Sequence, residues 1–171
     1  MFKKVLIVDD HDDINKSVLN ILNTYNIVNV EKVQYCDDAH LKIKKEALNK
    51  QPFDLVITDL SFKKDHRECK ICSGEALAAT LRTEYPELSI IVYSMDTRLQ
   101  RVRTLINKNR INAYVCKDRK GSQELSIAIQ DVYNKKQFLS PQVKNALSPK
   151  SNLEIDDYDI CLLYTSDAAD D

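Results

Sequence analysis

Five polar residues close short apolar runs in this chain. Asp9 and Asp10 follow Val5-Leu6-Ile7-Val8, Asp59 follows Leu55-Val56-Ile57-Thr58, Ser94 follows Ile90-Ile91-Val92-Tyr93, and Lys117 follows Ala113-Tyr114-Val115-Cys116. Such runs read as parallel strands, and in an open α/β sheet the C-terminal strand ends face the crevice where ligands bind. Three carboxylates, a hydroxyl and an ammonium would then share one edge. Carboxylates this close repel, at roughly 1–4 kcal/mol per pair at about 4 Å, depending on the dielectric. The cluster calls for a cation, and hard carboxylate oxygens with water suit Mg²⁺. Lys117 brings a second positive charge that can hold a carboxylate or a phosphate oxygen, and Ser94 a neutral donor. A nucleophilic carboxylate, a metal, a lysine and a hydroxyl can together place a phosphoryl group on Asp59.

The elements that must position these groups alternate along residues 1–136. After the first strand, Ile14, Val18, Ile21, Leu22 and Tyr25 repeat at helical spacing, with Asp12 or Asp13 as N-cap. A weaker strand over about 30–36 leads into a helix over about 38–50. The Asp59 strand is third and the most clearly buried. A helix starting near Ser73-Gly74-Glu75 ends at Tyr85-Pro86. The Ser94 strand, a helix over about 97–107, the Lys117 strand and a helix over about 122–136 complete the series. Alternating strands and helices imply right-handed parallel crossovers. The expected fold is α/β, a doubly wound (βα)5 domain with a five-stranded parallel sheet of order 2-1-3-4-5.

Bulk properties narrow the class. The chain has 171 residues, is 43% hydrophobic and 30% charged, and contains no apolar run near the roughly 20 residues of a membrane helix. Its first residues are too weakly apolar for a signal peptide, so a cytoplasmic location is expected. The net charge of −1 hides an asymmetry. Residues 151–171 hold seven acids and no lysine or arginine, which leaves 25 bases against 19 acids in residues 1–150. That mild excess is not the concentrated basic stripe of a nucleic-acid surface. Five cysteines without regular spacing do not read as a disulfide framework. Cys36 and Cys116 are expected at strand ends as small core residues. Cys69-Lys70-Ile71-Cys72 could serve redox chemistry or half a metal site. It lies in a polar loop without a second CxxC or a His pair, and the plain loop reading is preferred. His11, His40 and His66 read as surface residues, and Arg98, Arg101 and Arg103 as a solvated helix face.

Taken in order, Val5-Leu6-Ile7-Val8-Asp9-Asp10-His11, Asp59, Ser94 and Tyr114-x-x-Lys117 resemble the receiver domain of bacterial two-component response regulators. The resemblance covers residues 3 to about 136. It implies the flavodoxin-like fold, with Asp59 as phosphoacceptor charged by a sensor histidine kinase. Mg²⁺ would be bound by Asp10, Asp59 and the Ser61 backbone carbonyl, with Asp9 acting through water. Ser94 and Lys117 would hold the phosphoryl oxygens. Tyr114 would be the aromatic switch, its ring moving inward when Ser94 is drawn to the phosphate. The face of the fourth helix, fifth strand and fifth helix would carry the output and could form a homodimer. No turnover of a separate substrate is implied, only self-phosphorylation and autodephosphorylation on Asp59.

The chain departs from the family pattern at two places. No Met-Pro pair follows Asp59, where Leu60-Ser61-Phe62 opens a long loop to Ser73, and Lys117 is followed by Asp118 rather than proline. Neither change removes a reacting group. Residues 137–151, with Ser140-Pro141 and Ser148-Pro149, read as a linker with at most a short helix. Residues 152–160 resemble the approach to a helix-turn-helix effector. Residues 161–171 look like the translation of a transposase sequencing adaptor, a non-native tail. The expected parent is therefore a transcriptional regulator that reaches DNA through a C-terminal domain this chain lacks. The alternative is a stand-alone receiver acting by protein–protein contact or phosphorelay. A haloacid-dehalogenase-like phosphatase would want an Asp at position 61, which is Ser. A flavin-binding relative would want a phosphate-cradling loop where Asp9-Asp10-His11-Asp12-Asp13 stands.

Overall fold

The structure, a computed structural model, describes residues 1–148. The effector-like stretch 152–160 and the tail 161–171 lie outside the described residues. Strands β1 (Lys4–Val8), β2 (Asn29–Val33), β3 (Leu55–Thr58), β4 (Ser89–Ser94), β5 (Ala113–Cys116) and β6 (Phe138–Leu139) form one sheet. Its order is β2-β1-β3-β4-β5-β6, and every neighbouring pair is parallel. The helices between and after them are α1 (Asp12–Thr24), α2 (Cys36–Leu48), α3 (Gly74–Glu84), α4 (Leu99–Asn107), α5 (Gly121–Tyr133) and α6 (Pro141–Ala146).

Period-two alternation along the strands divides the core into two layers. Leu6, Val8, Val56, Ile90, Val92 and Tyr114 face one side and pack against α2, α3, α4 and α6. Val5, Ile7, Leu55, Ile57, Ile91 and Val115 face the other and pack against α1 and α5. Strands β1, β3, β4 and β5 are buried throughout, which explains their near-continuous apolar runs. β2 is an edge strand, exposed or half-exposed along its length, and is the strand with the weakest sequence pattern.

The sheet has one strand more than the five expected, and the physical reason lies in residues read as a linker. Phe138 and Leu139 add to β5 as a short parallel edge. The Ser140 hydroxyl then accepts a hydrogen bond from Cys116 N at 2.9 Å and donates to the buried Glu124 carboxylate. Pro141 occupies the first turn of α6, which buries Val143 and Ala146 in the same core layer as α4. Ser140→Ala would leave the Cys116 N–H and the Glu124 carboxylate without that partner. A loss of about 1–3 kcal/mol in unfolding free energy is expected, read by urea denaturation.

Smaller boundary differences have local causes. Cys36, expected to end a strand, instead opens α2, because β1 pairs with β2 only as far as Val33. Helix α1 has His11 as its N-cap residue, and Asp12 and Asp13 sit in its first turn, where they favour the helix dipole without capping. Ser73 does cap α3, accepting from Ala76 N at 3.1 Å. No helix among the described residues is long and apolar enough to cross a membrane.

Candidate functional site

The C-terminal ends of β1, β3, β4 and β5 deliver Asp9, Asp10, Asp59, Ser94 and Lys117 to one edge. Lys117 Nζ donates to Asp9 Oδ2 at 2.6 Å and to Asp59 Oδ2 at 2.9 Å. All three side chains are nearly buried, at 7%, 4% and 8% exposure for Lys117, Asp9 and Asp59. Burial is the largest influence on Lys117 and disfavours its charge, but the bonds and charges of Asp9 and Asp59 outweigh it and hold its pKa above the ordinary lysine value. Tyr93 presents its ring 5.5 Å from the same ammonium. One ammonium thus crosslinks β5 to β1 and β3, and it holds an oxygen of Asp59 from one side.

Asp10 is arranged differently. Its Oδ2 accepts from Lys63 N at 2.7 Å. Its Oδ1 is buried and has no hydrogen-bond partner. His11 Nδ1 lies 2.9 Å from that oxygen, which is close enough for an ion pair but is not aligned as a hydrogen bond. The ring nitrogen instead bonds Asp9 Oδ1 at 3.0 Å. A buried carboxylate oxygen without a donor is costly and invites a cation. Ligand atoms of Asp9, Asp10, His11 and Asp59 lie within 4.8 Å of one another. The set is mostly oxygen and fits Mg²⁺.

Gly74 sets the position of Asp59. A Cβ at this first residue of α3 would fall 1.9 Å from the Asp59 carbonyl oxygen and 2.8 Å from Leu60 Cα. Gly74 N donates to Leu60 O at 2.9 Å, so α3 starts hard against the backbone that carries the Asp59 side chain. Gly74→Ala must push these segments apart. We expect a destabilisation of about 1–3 kcal/mol, visible as a lower thermal midpoint.

The β4–α4 connection gathers around Asp96. Ser94 Oγ accepts from Asp96 N at 3.1 Å, and the Tyr114 hydroxyl donates to the Asp96 carbonyl. The Asp96 carboxylate pairs with Arg98 and Arg101, and Arg101 also reaches Glu75 at the start of α3. Tyr114 is fully buried, and burial raises its hydroxyl pKa far above the usual value. Its ring packs in the core layer that holds Ile90 and Val92. Ser61 lies exposed on the loop two residues past Asp59.

The structure therefore joins Asp9, Asp10, Asp59 and Lys117 in one cluster and ties Ser94 to Tyr114 through Asp96. Three participants escaped the sequence reading. His11, expected on the surface, is half exposed but turns Nδ1 into the acidic group. Arg101, expected on a solvated face, ties α4 to α3. Asn15 is buried on α1 and donates from Nδ2 to the Asp9 carbonyl at 3.0 Å. Only Asn15 left a signal, since a polar side chain stands at helical spacing from Val18 and Leu22 on the apolar stripe.

A family model of the response regulator receiver domain matches residues 5–130. The chain belongs to that family. Solved receivers of RcsB share the fold of this response regulator domain. The isolated domain from Salmonella enterica serovar Typhimurium, in the presence of phosphomimetic BeF3−, is 24% identical, with a TM-score of 0.69 over 85% of this chain and 99% of that one. The non-phosphorylated receiver of the stress response regulator RcsB from Escherichia coli is 25% identical, with a TM-score of 0.65 over 81% and 98%. RcsB dimers bound to two parallel DNAs give 25% identity and a TM-score of 0.71 over 88% and 69%. The present chain thus spans nearly all of the isolated receivers, and in one longer RcsB chain only 65% of the length. No curated protein sequence matches it.

Proposed function

We propose that this receiver takes a phosphoryl group from a sensor histidine kinase on Asp59 and passes the change to an effector. The observation that carries the proposal is the Lys117 ammonium held between Asp9 and Asp59, beside a buried Asp10 oxygen with no hydrogen-bond partner. Asp10 and Asp59 would hold Mg²⁺ with the Ser61 carbonyl, and Asp9 would act through water. The metal would neutralise charge on the transferring group and its acceptor. Asp59 Oδ2 is the attacking oxygen, and Oδ1 stays fixed by the bond it accepts from Leu60 N at 2.7 Å. Lys117 then moves its hydrogen bond from the carboxylate to a phosphoryl oxygen. Ser94 Oγ accepts from Asp96 N and interacts with the Tyr114 hydroxyl, and its own hydroxyl would turn to donate to a second phosphoryl oxygen. A shift of Ser94 is felt at once by Asp96 and Tyr114, and through Arg101 by α3 and α4.

Output then leaves through the α4–β5–α5 face, where β6 covers the β5 edge and α6 packs on α4, so that α4, α5 and α6 present its surface and α6 leads toward residues beyond 148. By likeness to RcsB, whose dimers were solved on DNA, the parent protein is a cytoplasmic transcriptional regulator that dimerises through this face and binds DNA through a C-terminal domain. The test is incubation with acetyl phosphate and Mg²⁺. Intact-mass analysis should show one phosphoryl group, mapped to the Asp59 peptide and absent when EDTA removes the metal. Uptake that ignores EDTA, or that maps elsewhere, overturns the reading.

A further inference from the structure

The loop of residues 61–73 carries the CxxC that the phosphoacceptor chemistry leaves unused. Cys69 and Cys72 are joined by a disulfide, with Cα atoms 5.3 Å apart, and both residues are exposed. The other two described cysteines contrast with them. Cys36 and Cys116 are buried, and burial pushes the Cys36 thiol up to about 12, where it is inert. An open cavity of about 560 Å³ beside the bridge, lined also by Tyr35, Phe62 and Ile71, gives a small thiol compound room to approach.

The bridge sits where the loop is fastened. Lys70 N and Ile71 N, the residues enclosed by the two cysteines, both donate to the Asp37 carboxylate at 2.9 Å. Arg67 pairs with Asp38 and stacks on Tyr35 at 3.8 Å, and Asp65 accepts from the Tyr35 hydroxyl. At its near end the loop gives Lys63 N to Asp10, and at its far end it enters α3 through Ser73 and Gly74, against Asp59. The loop therefore runs from the metal-type carboxylate to the acceptor's backbone, and the disulfide closes the turn that anchors it to α2.

We propose that Cys69 and Cys72 form a reversible thiol–disulfide site that exchanges with low-molecular-weight disulfides, and that its state sets how firmly this loop is held over the acidic site. The exchange balances in two steps. One cysteine thiolate attacks an R–S–S–R oxidant and releases one R–S⁻. The second thiolate then attacks the mixed disulfide, closing the Cys69–Cys72 bond and releasing the other R–S⁻. Two electrons pass from the cysteines to the oxidant, and the two cysteine protons end on the released thiols. In a reducing compartment such bonds are transient and serve sensing more than support, which matches an exposed four-residue bridge. Any effect on phosphorylation rests additionally on the reading of Asp59 given above.

The full chain should be equilibrated in glutathione buffers of graded reduced-to-oxidised ratio, trapped with iodoacetamide and analysed by peptide mass. Cys69 and Cys72 are expected to convert together between bridged and doubly alkylated forms within the buffer range. Amide hydrogen exchange of residues 61–73 should be on the order of tenfold faster in the reduced chain, the scale set by lost chain entropy in a short closed loop. In the Cys69→Ser/Cys72→Ser variant the exchange should be fast in every buffer. A pair that stays wholly bridged or wholly reduced across the range, or loop exchange that ignores the redox state, overturns the proposal. With acetyl phosphate, different Asp59 uptake rates in the two states extend the effect to the acceptor, and equal rates refute that extension. No uptake in either state instead counts against the phosphoacceptor reading and leaves the redox site standing.

Discussion

Asp59→Asn is expected to abolish phosphoryl uptake from acetyl phosphate while leaving the fold intact. The amide has the shape of the carboxylate but cannot act as the nucleophile that forms an acyl phosphate. The structural cost should be small. The amide oxygen can still accept from Leu60 N, the bond that Asp59 Oδ1 now makes at 2.7 Å. Lys117 keeps its 2.6 Å partner in Asp9, and one of three crowded negative charges is removed. Unfolding free energy should change by no more than about 1 kcal/mol, since one charged partner is lost while like-charge repulsion is relieved. Intact-mass analysis with and without Mg²⁺ gives the first readout and urea denaturation the second. Uptake at the parental rate would place the chemistry on Asp9 or Asp10 instead.

Lys117→Met tests the opposite charge. Methionine fills much of the space of the lysine stem but leaves Asp9 and Asp59 buried without their shared cation. Removing one partner of a buried ion pair commonly costs about 3–5 kcal/mol, because the remaining charge stays desolvated. The thermal midpoint should fall by roughly 10 °C for a domain of this size. Under the proposed metal binding, Mg²⁺ should restore part of that loss, since a ligand of the native carboxylate cluster alone stabilises the folded chain. Phosphoryl uptake should slow by roughly 10²–10³-fold, the usual effect of removing one preorganised donor from developing charge. A variant that matches the parent in both midpoint and uptake rate would show that Lys117 has neither role.

Together these two changes separate nucleophile from counter-charge. Asp59→Asn is expected to lose the chemistry and keep the stability, whereas Lys117→Met is expected to lose much of both. Ser140→Ala belongs to a third class, since its bonds go to Cys116 N and Glu124 and not to the acidic cluster. It weakens the attachment of β6 and α6, and so bears on how a change at α4 could reach residues beyond 148.

The sequence by itself determined the alternating α/β order, the burial of the strands and the identity of the acidic and basic groups at their ends. These features are local. A β-branched apolar run that stops at a carboxylate declares both a buried strand and the residue at its mouth, and the parallel connection rule then brings those mouths together. Asp9, Asp59 and Lys117 could be assigned to one site on that ground alone. Only the tertiary structure decided what depends on approach between distant segments. The turn of His11 toward Asp9, the bond from Lys63 to Asp10 and the hub at Asp96 join residues whose sequence neighbourhoods say nothing of one another. Residues 138–146 have the composition of a linker, yet strand pairing at Phe138 and Leu139, the hydroxyl of Ser140 and the buried side chains of Val143 and Ala146 pin them to the core. Cys69 and Cys72 likewise have an unremarkable loop sequence around them. It is the carboxylate of Asp37, reaching from α2 to the two backbone amides they enclose, that shapes the turn where they meet.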